Sequence, residues 1–99
     1  MILAVDQGTS STKATLFDAS GAAVVSASVP LGQAHPRPGW VQQDAVEILD
    51  GVRTVVAEIA GSHHVDAVAL STQRESALVW DRATGEPVGP MLGWQDRRT

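Results

Sequence analysis

The sequence predicts an α/β domain, a mixed sheet with one helix packed against it, and three observations carry that expectation. A continuous apolar run, Ile2-Leu3-Ala4-Val5, opens the chain; two segments rich in β-branched and small residues follow; and one stretch with helical periodicity separates them from a second apolar run at 65–71. Strands, then a helix, then strands is the order of a sheet that is neither wholly parallel nor wholly antiparallel. Composition agrees with a folded domain, since 43% of the 99 residues are hydrophobic and 18% are charged, which is too apolar for a disordered tail. A chain of this length holds one modest core and cannot by itself build two domains around a cleft.

Each element has its own signal. The opening run is closed by Asp6 and Gly8, and so short an apolar stretch suits a strand buried on both faces better than a helix. Residues 13–18 and 22–29 are the next two strands, joined by Asp18-Ala19-Ser20-Gly21, whose glycine can take positive φ. The three form a meander. Pro30, Pro36, Pro38 and Gly39 keep 30–43 out of regular structure, leaving a long loop that carries Trp40. Asp44 and Glu47 then stand in a capping-box pattern, and Val46, Leu49, Val52, Val56 and Ile59 recur at helical spacing before a stop at Gly61. Gly51 inside that helix costs about 1 kcal/mol relative to alanine, so the helix depends on packing its apolar face against the sheet. Strands at 65–71 and 77–80, a turn at 82–85 and a short segment at Met91-Leu92 complete the chain. One helix covers one face of such a sheet, so apolar side chains on the opposite face are expected to meet a second copy, further chain or water.

Charge and cysteine usage exclude several function classes. Eleven acidic against seven basic residues give a net charge of −4, the wrong sign for binding nucleic acid or an anionic membrane. The absence of cysteine excludes disulfides, thiolate metal sites and thiol catalysis. The opening apolar run is too short for a signal-peptide core or a membrane span and has no basic region before it, so a cytoplasmic protein is expected. Trp94-Gln95-Asp96-Arg97-Arg98-Thr99, a polar cluster directly after an apolar segment, reads as part of a longer chain.

Two places concentrate chemistry. From Asp6 to Lys13 the chain offers a carboxylate, a glycine, four hydroxyls and a lysine. Gly8 lets the backbone approach an anion, main-chain N–H groups and the Thr9, Ser10 and Ser11 hydroxyls donate, and Lys13 adds positive charge, which together suit phosphate. Asp6 repels phosphate directly, so its useful role is to hold Mg²⁺ or its waters. A solvated Asx-type turn accounts for the same composition. A P-loop does not, because no glycine precedes Lys13 and a strand follows where a helix is required. The second place is Gln73-Arg74-Glu75 at the end of a buried strand, where a carboxylate and a guanidinium together can orient a vicinal diol. A surface ion pair without functional meaning is the alternative there. Trp80 reads as core. Trp94, in polar company, suits either the core or the C–H face of a polyol. His63-His64 reads as a solvated loop, since adjacent histidines cannot share one helical face as ligands.

These residues resemble, in order and from end to end of the chain, the start of the FGGY family of carbohydrate kinases. Asp6-Gln7-Gly8-Thr9-Ser10-Ser11-Thr12-Lys13 resembles the family's N-terminal phosphate loop, and His35-Pro36-Arg37-Pro38-Gly39-Trp40-Val41-Gln42-Gln43-Asp44 its Pro-Gly-Trp segment. Gln73-Arg74-Glu75-Ser76, Val79-Trp80-Asp81 and Gly93-Trp94-Gln95-Asp96-Arg97-Arg98-Thr99 resemble its substrate-side motifs. The resemblance implies an actin-like, ribonuclease H-like mixed sheet and ATP- and Mg²⁺-dependent phosphorylation of a polyol or sugar hydroxyl, with glycerol ranked first and a pentulose next. Asp6 would then serve the metal; Thr9, Ser10, Ser11 and Lys13 the nucleotide phosphates; Arg74 and Glu75 the acceptor hydroxyls; and Trp94 the acceptor's carbons. Lys13 departs from the arginine typical of members that phosphorylate glycerol and offers a point charge without the bidentate fork. Ser10 and Ser76 stand where threonine is frequent, and Asp96 after Trp94-Gln95 is similar to the pentulose-kinase pattern.

Family enzymes are several times longer and bind nucleotide between two lobes. Residues 1–99 therefore correspond to the N-terminal part of the first lobe, with the rest of that lobe, the whole second lobe, the catalytic aspartate base and the adenosine pocket lying outside the chain, so that no catalytic residue is expected within it and the piece alone is inactive. Two other readings stand beside this one. A stand-alone binding or assembly domain would keep the sheet without chemistry and self-associate through an uncovered sheet face. A ribonuclease-H-like nuclease would use Asp6, Glu47 and Asp66 around Mg²⁺, against which stand the acidic charge and the position of Asp66 at the start of its strand.

Overall fold

The computed structural model describes residues 1–98. Alternation along the opening segments builds the sheet: in β1 (Ile2–Gln7) and β2 (Ser11–Phe17) the residues Leu3, Val5, Gln7, Thr12, Ala14 and Leu16 are buried while their neighbours are not. Antiparallel pairing sets Leu3 opposite Leu16, Val5 opposite Ala14 and Gln7 opposite Thr12, so all six share one face. β3 (Ala23–Pro30) pairs antiparallel with β2, after a turn in which Asp18 Oδ1 accepts from the N–H groups of Ser20 and Ala22, and Gly21 takes φ +84°. After the proline-rich loop come the two-residue β4 (Gln42–Gln43), the helix α1 (Ala45–Ala60), β5 (Ala67–Thr72) and β6 (Met91–Leu92). β5 pairs parallel with β1, giving a main sheet in the order β3-β2-β1-β5, and β4 pairs antiparallel with β6. The mixed sheet with one helix is the expected class.

The structure corrects several expected details. β1 is buried on one face only, since Ile2 and Asp6 are exposed on the other. β2 starts at Ser11, so Ser11, Thr12 and Lys13 are strand residues and only Gly8, Thr9 and Ser10 form the turn. No strand forms at 77–80: Ala77 bridges Leu92 and Trp80 bridges Pro87 in an irregular arm whose prolines cannot donate to a ladder. Trp80 stands on that arm 59% exposed and is not core.

α1 begins where expected, with Asp44 Oδ1 accepting from Val46 N at 2.9 Å and Glu47 N at 3.4 Å. The capping box does not close, because Glu47 Oε1 instead accepts from Gly32 N at 2.9 Å. The buried stripe is also turned relative to the expected one. Gly51, Val55 and Ile59 are buried, whereas Val46 and Leu49 are about half exposed. The cause is the crossing point: α1 packs on β2 and β3, and a Cβ on Gly51 would lie 3.1 Å from Val29 Cγ2. Glycine permits a close approach whose packing offsets its poor helix propensity. Leu3, Val5, Ala14, Leu16 and Ala27 with Val55 and Ile59 form the resulting core.

Because α1 sits over β2 and β3, it leaves β5 bare. Val68 and Leu70 lie opposite Leu3 and Val5 in register, on the helix side of the sheet, yet they are 58% and 64% exposed. The uncovered apolar strip is therefore on the helix side, between α1 and β5, where Leu49, Val52, Leu70, Leu78 and Met91 line a groove. The opposite face carries Ile2, Phe17 and Ala67 in its first row, Ala4, Thr15 and Ala69 in the middle row and Asp6, Lys13 and Ser71 in the next, so beyond its first row it is small and polar. Among the described residues no helix is long and apolar enough to cross a membrane.

The proline-rich loop is clasped by the last residues. Asp96 Oδ2 accepts from Val41 N at 3.0 Å; Arg98 Nε donates to both Asp96 oxygens at 2.9 and 2.7 Å, and its Nη2 donates to Gln42 Oε1 at 3.0 Å. The Arg98 guanidinium also lies 3.9 Å from the Trp40 ring centroid. Burial, with 4% of the Asp96 side chain exposed, pushes its carboxyl up, but the backbone N–H groups of Arg98 and Val41 and the Arg98 guanidinium outweigh it and hold the group below its ordinary value of 3.8.

Two tests follow from this packing. Thr12 Oγ1 is buried beneath Gly51 without a hydrogen-bond partner. Thr12→Val removes an unpaired hydroxyl at nearly constant volume and is expected to stabilise the chain by about 1 kcal/mol, raising the midpoint of thermal unfolding by about 4–8 °C; an unchanged or lower midpoint would show that the hydroxyl is satisfied. For Asp96, the folded group holds its charge to lower pH than the unfolded chain does. Below pH 3.8 the unfolded state therefore binds more protons, and stability is lost as pH falls through the lowered folded value. Denaturant titrations across that window are expected to show a shallower acid decline in Asp96→Asn than in wild type, and equal slopes would assign the decline elsewhere.

Candidate functional site

Parallel pairing brings the two chemistry-bearing segments to one edge of the sheet. Asp6 lies beside Ser71 and Gln7 beside Thr72, so the turn that leaves β1 and the segment that leaves β5 emerge together. The contact continues past the strands, with Gln73 N donating to Gln7 O at 3.0 Å. In the turn, Gly8 N donates to Ser11 O at 2.9 Å, and a Cβ on Gly8 would stand 3.1 Å from that same oxygen. Leu31 N donates to Ser10 O at 2.8 Å and ties the turn to the end of β3.

The expected site residues distribute around this edge. Asp6 is exposed on the face away from α1, directly opposite Lys13 in the β1–β2 ladder. Thr9 and Ser11 are half-buried and Ser10 is exposed. Arg74 and Glu75 are exposed just beyond Gln73, and Glu75 takes φ +61°, the one positive φ at a non-glycine residue among those described. Backbone held in the left-handed region costs energy and gathers at functional sites. Trp94 arrives from the far end of the chain, its indole Nε1 donating to Thr9 Oγ1 at 3.3 Å. The Gly8-Thr9-Ser10 turn, the Arg-Glu segment and Trp94 are thus neighbours on an open ledge.

Other expected pairings are absent. Among the described residues no ion pair joins Arg74 to Glu75 or Asp6 to Lys13, which leaves four charges available to a ligand. The nuclease arrangement does not form. Asp66 precedes the start of β5, at the opposite end from Asp6, where it accepts from the Met1 ammonium and meets His64 Nε2 at 2.8 Å. Hydrogen bonds from the Met1 ammonium first, and then from His64, hold its carboxyl below its ordinary range. Glu47 is occupied by Gly32, and no three His, Asp or Glu side chains among the described residues come together as metal ligands do.

Sequence reasoning missed the buried amides behind the ledge. Gln7 Nε2 donates to Gly8 O at 2.7 Å, Gln43 Nε2 to Thr9 O at 2.8 Å, and Gln73 Nε2 to Gln43 Oε1 at 3.0 Å. Glutamine has no periodicity signal of its own. The only available hint was the presence of a glutamine beside each motif.

The profile of the FGGY family of carbohydrate kinases, N-terminal domain, matches residues 1–99. The glycerol kinase of Pseudarthrobacter chlorophenolicus is 46% identical over 99% of this chain, and that of Leifsonia xyli subsp. xyli is 44% identical. The chain spans about a fifth of each, 20% of their length. Among solved structures, Plasmodium falciparum glycerol kinase with ADP superposes on 98% of the chain with a TM-score of 0.93 at 31% identity, using 21% of its own length. Xylulose kinase from Rhodospirillum rubrum covers 97% with a TM-score of 0.88 at 26% identity, using 20% of its own length. The mixed sheet is thus the one found in sugar kinases of the actin-like fold, and with a match along its whole length the chain belongs to the FGGY family of carbohydrate kinases, as its N-terminal domain.

Proposed function

We propose that this chain is the N-terminal part of the first lobe of an ATP-dependent kinase and builds the edge where phosphate and acceptor meet. The reaction is transfer of the γ-phosphoryl group to a hydroxyl of a small polyol or sugar, with glycerol as the first acceptor to test and a pentulose as the second. The observation that carries this reading is the in-register parallel pairing of β1 with β5, which sets the Gly8-Thr9-Ser10 turn beside Gln73-Arg74-Glu75. Two hydroxyl-bearing residues and Lys13 border the turn, and a carboxylate and a guanidinium border the acceptor side.

In this reading Thr9, Ser10, Ser11 and Lys13 approach the nucleotide phosphates. Thr9 Oγ1 accepts from Trp94 Nε1, which leaves the hydroxyl proton free to donate to a phosphoryl oxygen. Glu75 accepts from acceptor hydroxyls, Arg74 donates to them, and the Trp94 ring packs against the acceptor's carbons. Asp6, an exposed hard-oxygen donor at the end of β1, fits Mg²⁺ as magnesium is usually held, by one or two carboxylates with the remaining positions on water and phosphate. When bound, the ion offsets phosphate charge. In this reading the base that takes the acceptor's proton and the adenosine pocket lie in the four-fifths of the relatives' length that this chain does not span, and residues 1–99 alone are expected to catalyse no transfer.

A coupled ADP-release assay tests this on the full-length kinase carrying this chain and on the 99-residue chain alone. The long form is expected to phosphorylate glycerol or a pentulose, and Glu75→Gln to lose about 10- to 100-fold in kcat/KM for the acceptor, as for a hydrogen bond to a charged group. Absence of ATP-dependent transfer in the long form, or full activity in Glu75→Gln, overturns the reading. Transfer by the short chain overturns its expected inactivity. One observation favours a second reading, an assembly domain without chemistry: the bare Val68 and Leu70 strip beside the unpaired edge of β5. Sedimentation tests it, and a monomer at high concentration counts against it.

A further inference from the structure

We propose that Gln43 and Gln73 are positioning residues that aim the backbone N–H groups of Thr9 and Ser10 at phosphate and tie that turn to the acceptor motif; the inference rests on the kinase reading above. Gln43 is only 3% exposed, so its primary amide must find partners inside the protein. Its Nε2 donates to Thr9 O at 2.8 Å and to Gly32 O at 3.3 Å, while its Oε1 accepts from Gln73 Nε2 at 3.0 Å. Gln73 Nε2 also donates to Gly8 O at 3.4 Å, and Gln73 Oε1 accepts from Ser76 Oγ at 3.0 Å. Gln43 therefore holds the Thr9 carbonyl inward, and Gln73 braces Gln43 and, together with Gln7 Nε2 at 2.7 Å, the Gly8 carbonyl.

The geometry of the peptide bond turns that pull into a function. Every peptide among the described residues is trans, and in a trans peptide the C=O and the following N–H point in opposite directions. With the Gly8 and Thr9 carbonyls held toward the interior, the N–H groups of Thr9 and Ser10 face away from it, and among the described residues neither donates to a protein group. Successive outward N–H groups make an anion-binding concavity. Gln73 is bonded to Arg74 through the chain, so a shift of the acceptor motif reaches the turn through the Gln73 side chain as well as through its backbone bond to Gln7. This gives Gln73 a role distinct from that of its exposed neighbours Arg74 and Glu75, which in the kinase reading contact the acceptor.

The test replaces each amide by an apolar side chain of similar shape in the full-length kinase. Gln43→Met and Gln73→Met are each expected to raise KM for ATP about five- to tenfold, the loss of one or two neutral hydrogen bonds, and Gln73→Met is expected to raise KM for the acceptor as well. The double variant is expected to be little worse than the worse single one, because the two act as a unit. A merely structural role would lower the melting temperature or the active fraction and leave both KM values unchanged. Gln73 is half-buried, so Gln73→Met decides the question if the buried Gln43→Met does not fold. On the 99-residue chain, tripolyphosphate is expected to shift the Thr9 and Ser10 amide resonances in wild type and much less in Gln73→Met. Unchanged KM values in an active enzyme, or equal amide shifts in both chains, overturn the inference; a wild-type enzyme without transferase activity overturns the kinase reading and the inference with it.

Discussion

The parallel pairing of β1 with β5 is the constraint on which the rest depends. Parallel neighbours cannot be joined by a tight turn and need a crossover, here supplied by the proline-rich loop and α1. The crossover brings the chain back to the same end of the sheet, so two segments more than sixty residues apart in sequence leave the sheet side by side. An antiparallel β5 would carry Arg74 and Glu75 to the end where Asp66 and Met1 now stand. Gly51 contributes to the same result from a distance. By letting α1 settle onto Val29 and Thr12, it sets where the crossover lies and which part of the sheet it covers.

A second layer of order comes from the C-terminal clasp. Asp96 and Arg98 are held together out of solvent, and both spend their remaining hydrogen-bonding capacity on the Pro-Gly-Trp segment at Val41 and Gln42. A buried ion pair of this kind adds little net stability compared with apolar packing, but its geometry is demanding. Its consequence is positional: with Arg98 over Trp40, Trp94 is brought within reach of Thr9. The segment that resembled a ligand-binding motif in sequence is thus mostly a fastening, and one residue of it reaches the ledge.

Which parts of this were readable in the sequence follows from the range of each interaction. The meander, the N-cap at Asp44 and the stop near Gly61 rest on neighbours a few residues apart, and all three form. The apolar stripe of α1 was misplaced because periodicity ranks Leu49 and Val46 by hydrophobicity, whereas the fold ranks positions by where the helix touches the sheet, and there a glycine is worth more than a leucine. Trp80 failed for a related reason: size and apolarity place tryptophan in the core only if the backbone passes near it, and Pro87 and Pro90 keep that arm from joining the sheet. The ledge itself was readable as residue types. The glutamines behind it were not, because a buried amide is identified by partners that only the tertiary structure supplies.

β5 leads into Gln73-Arg74-Glu75 and has the least supported backbone of the main sheet. It pairs on one side only, no helix lies over it, and every residue from Ala67 to Thr72 is exposed. Elements with few buried contacts open most readily, and Glu75 sits at the end of this one in a conformation that needs holding. The backbone bond from Gln73 N to Gln7 O and the Gln73–Gln43 amide contact hold this segment against the Gly8-Thr9-Ser10 turn. Any chain that pairs with the free edge of β5 and covers Val68 and Leu70 would therefore stiffen the acceptor side and, through Gln73, the turn. In such an arrangement, completing the hydrophobic core and ordering the candidate site are a single event, because the strand that lacks cover is also the strand beside which the Gly8-Thr9-Ser10 turn and Gln73-Arg74-Glu75 emerge.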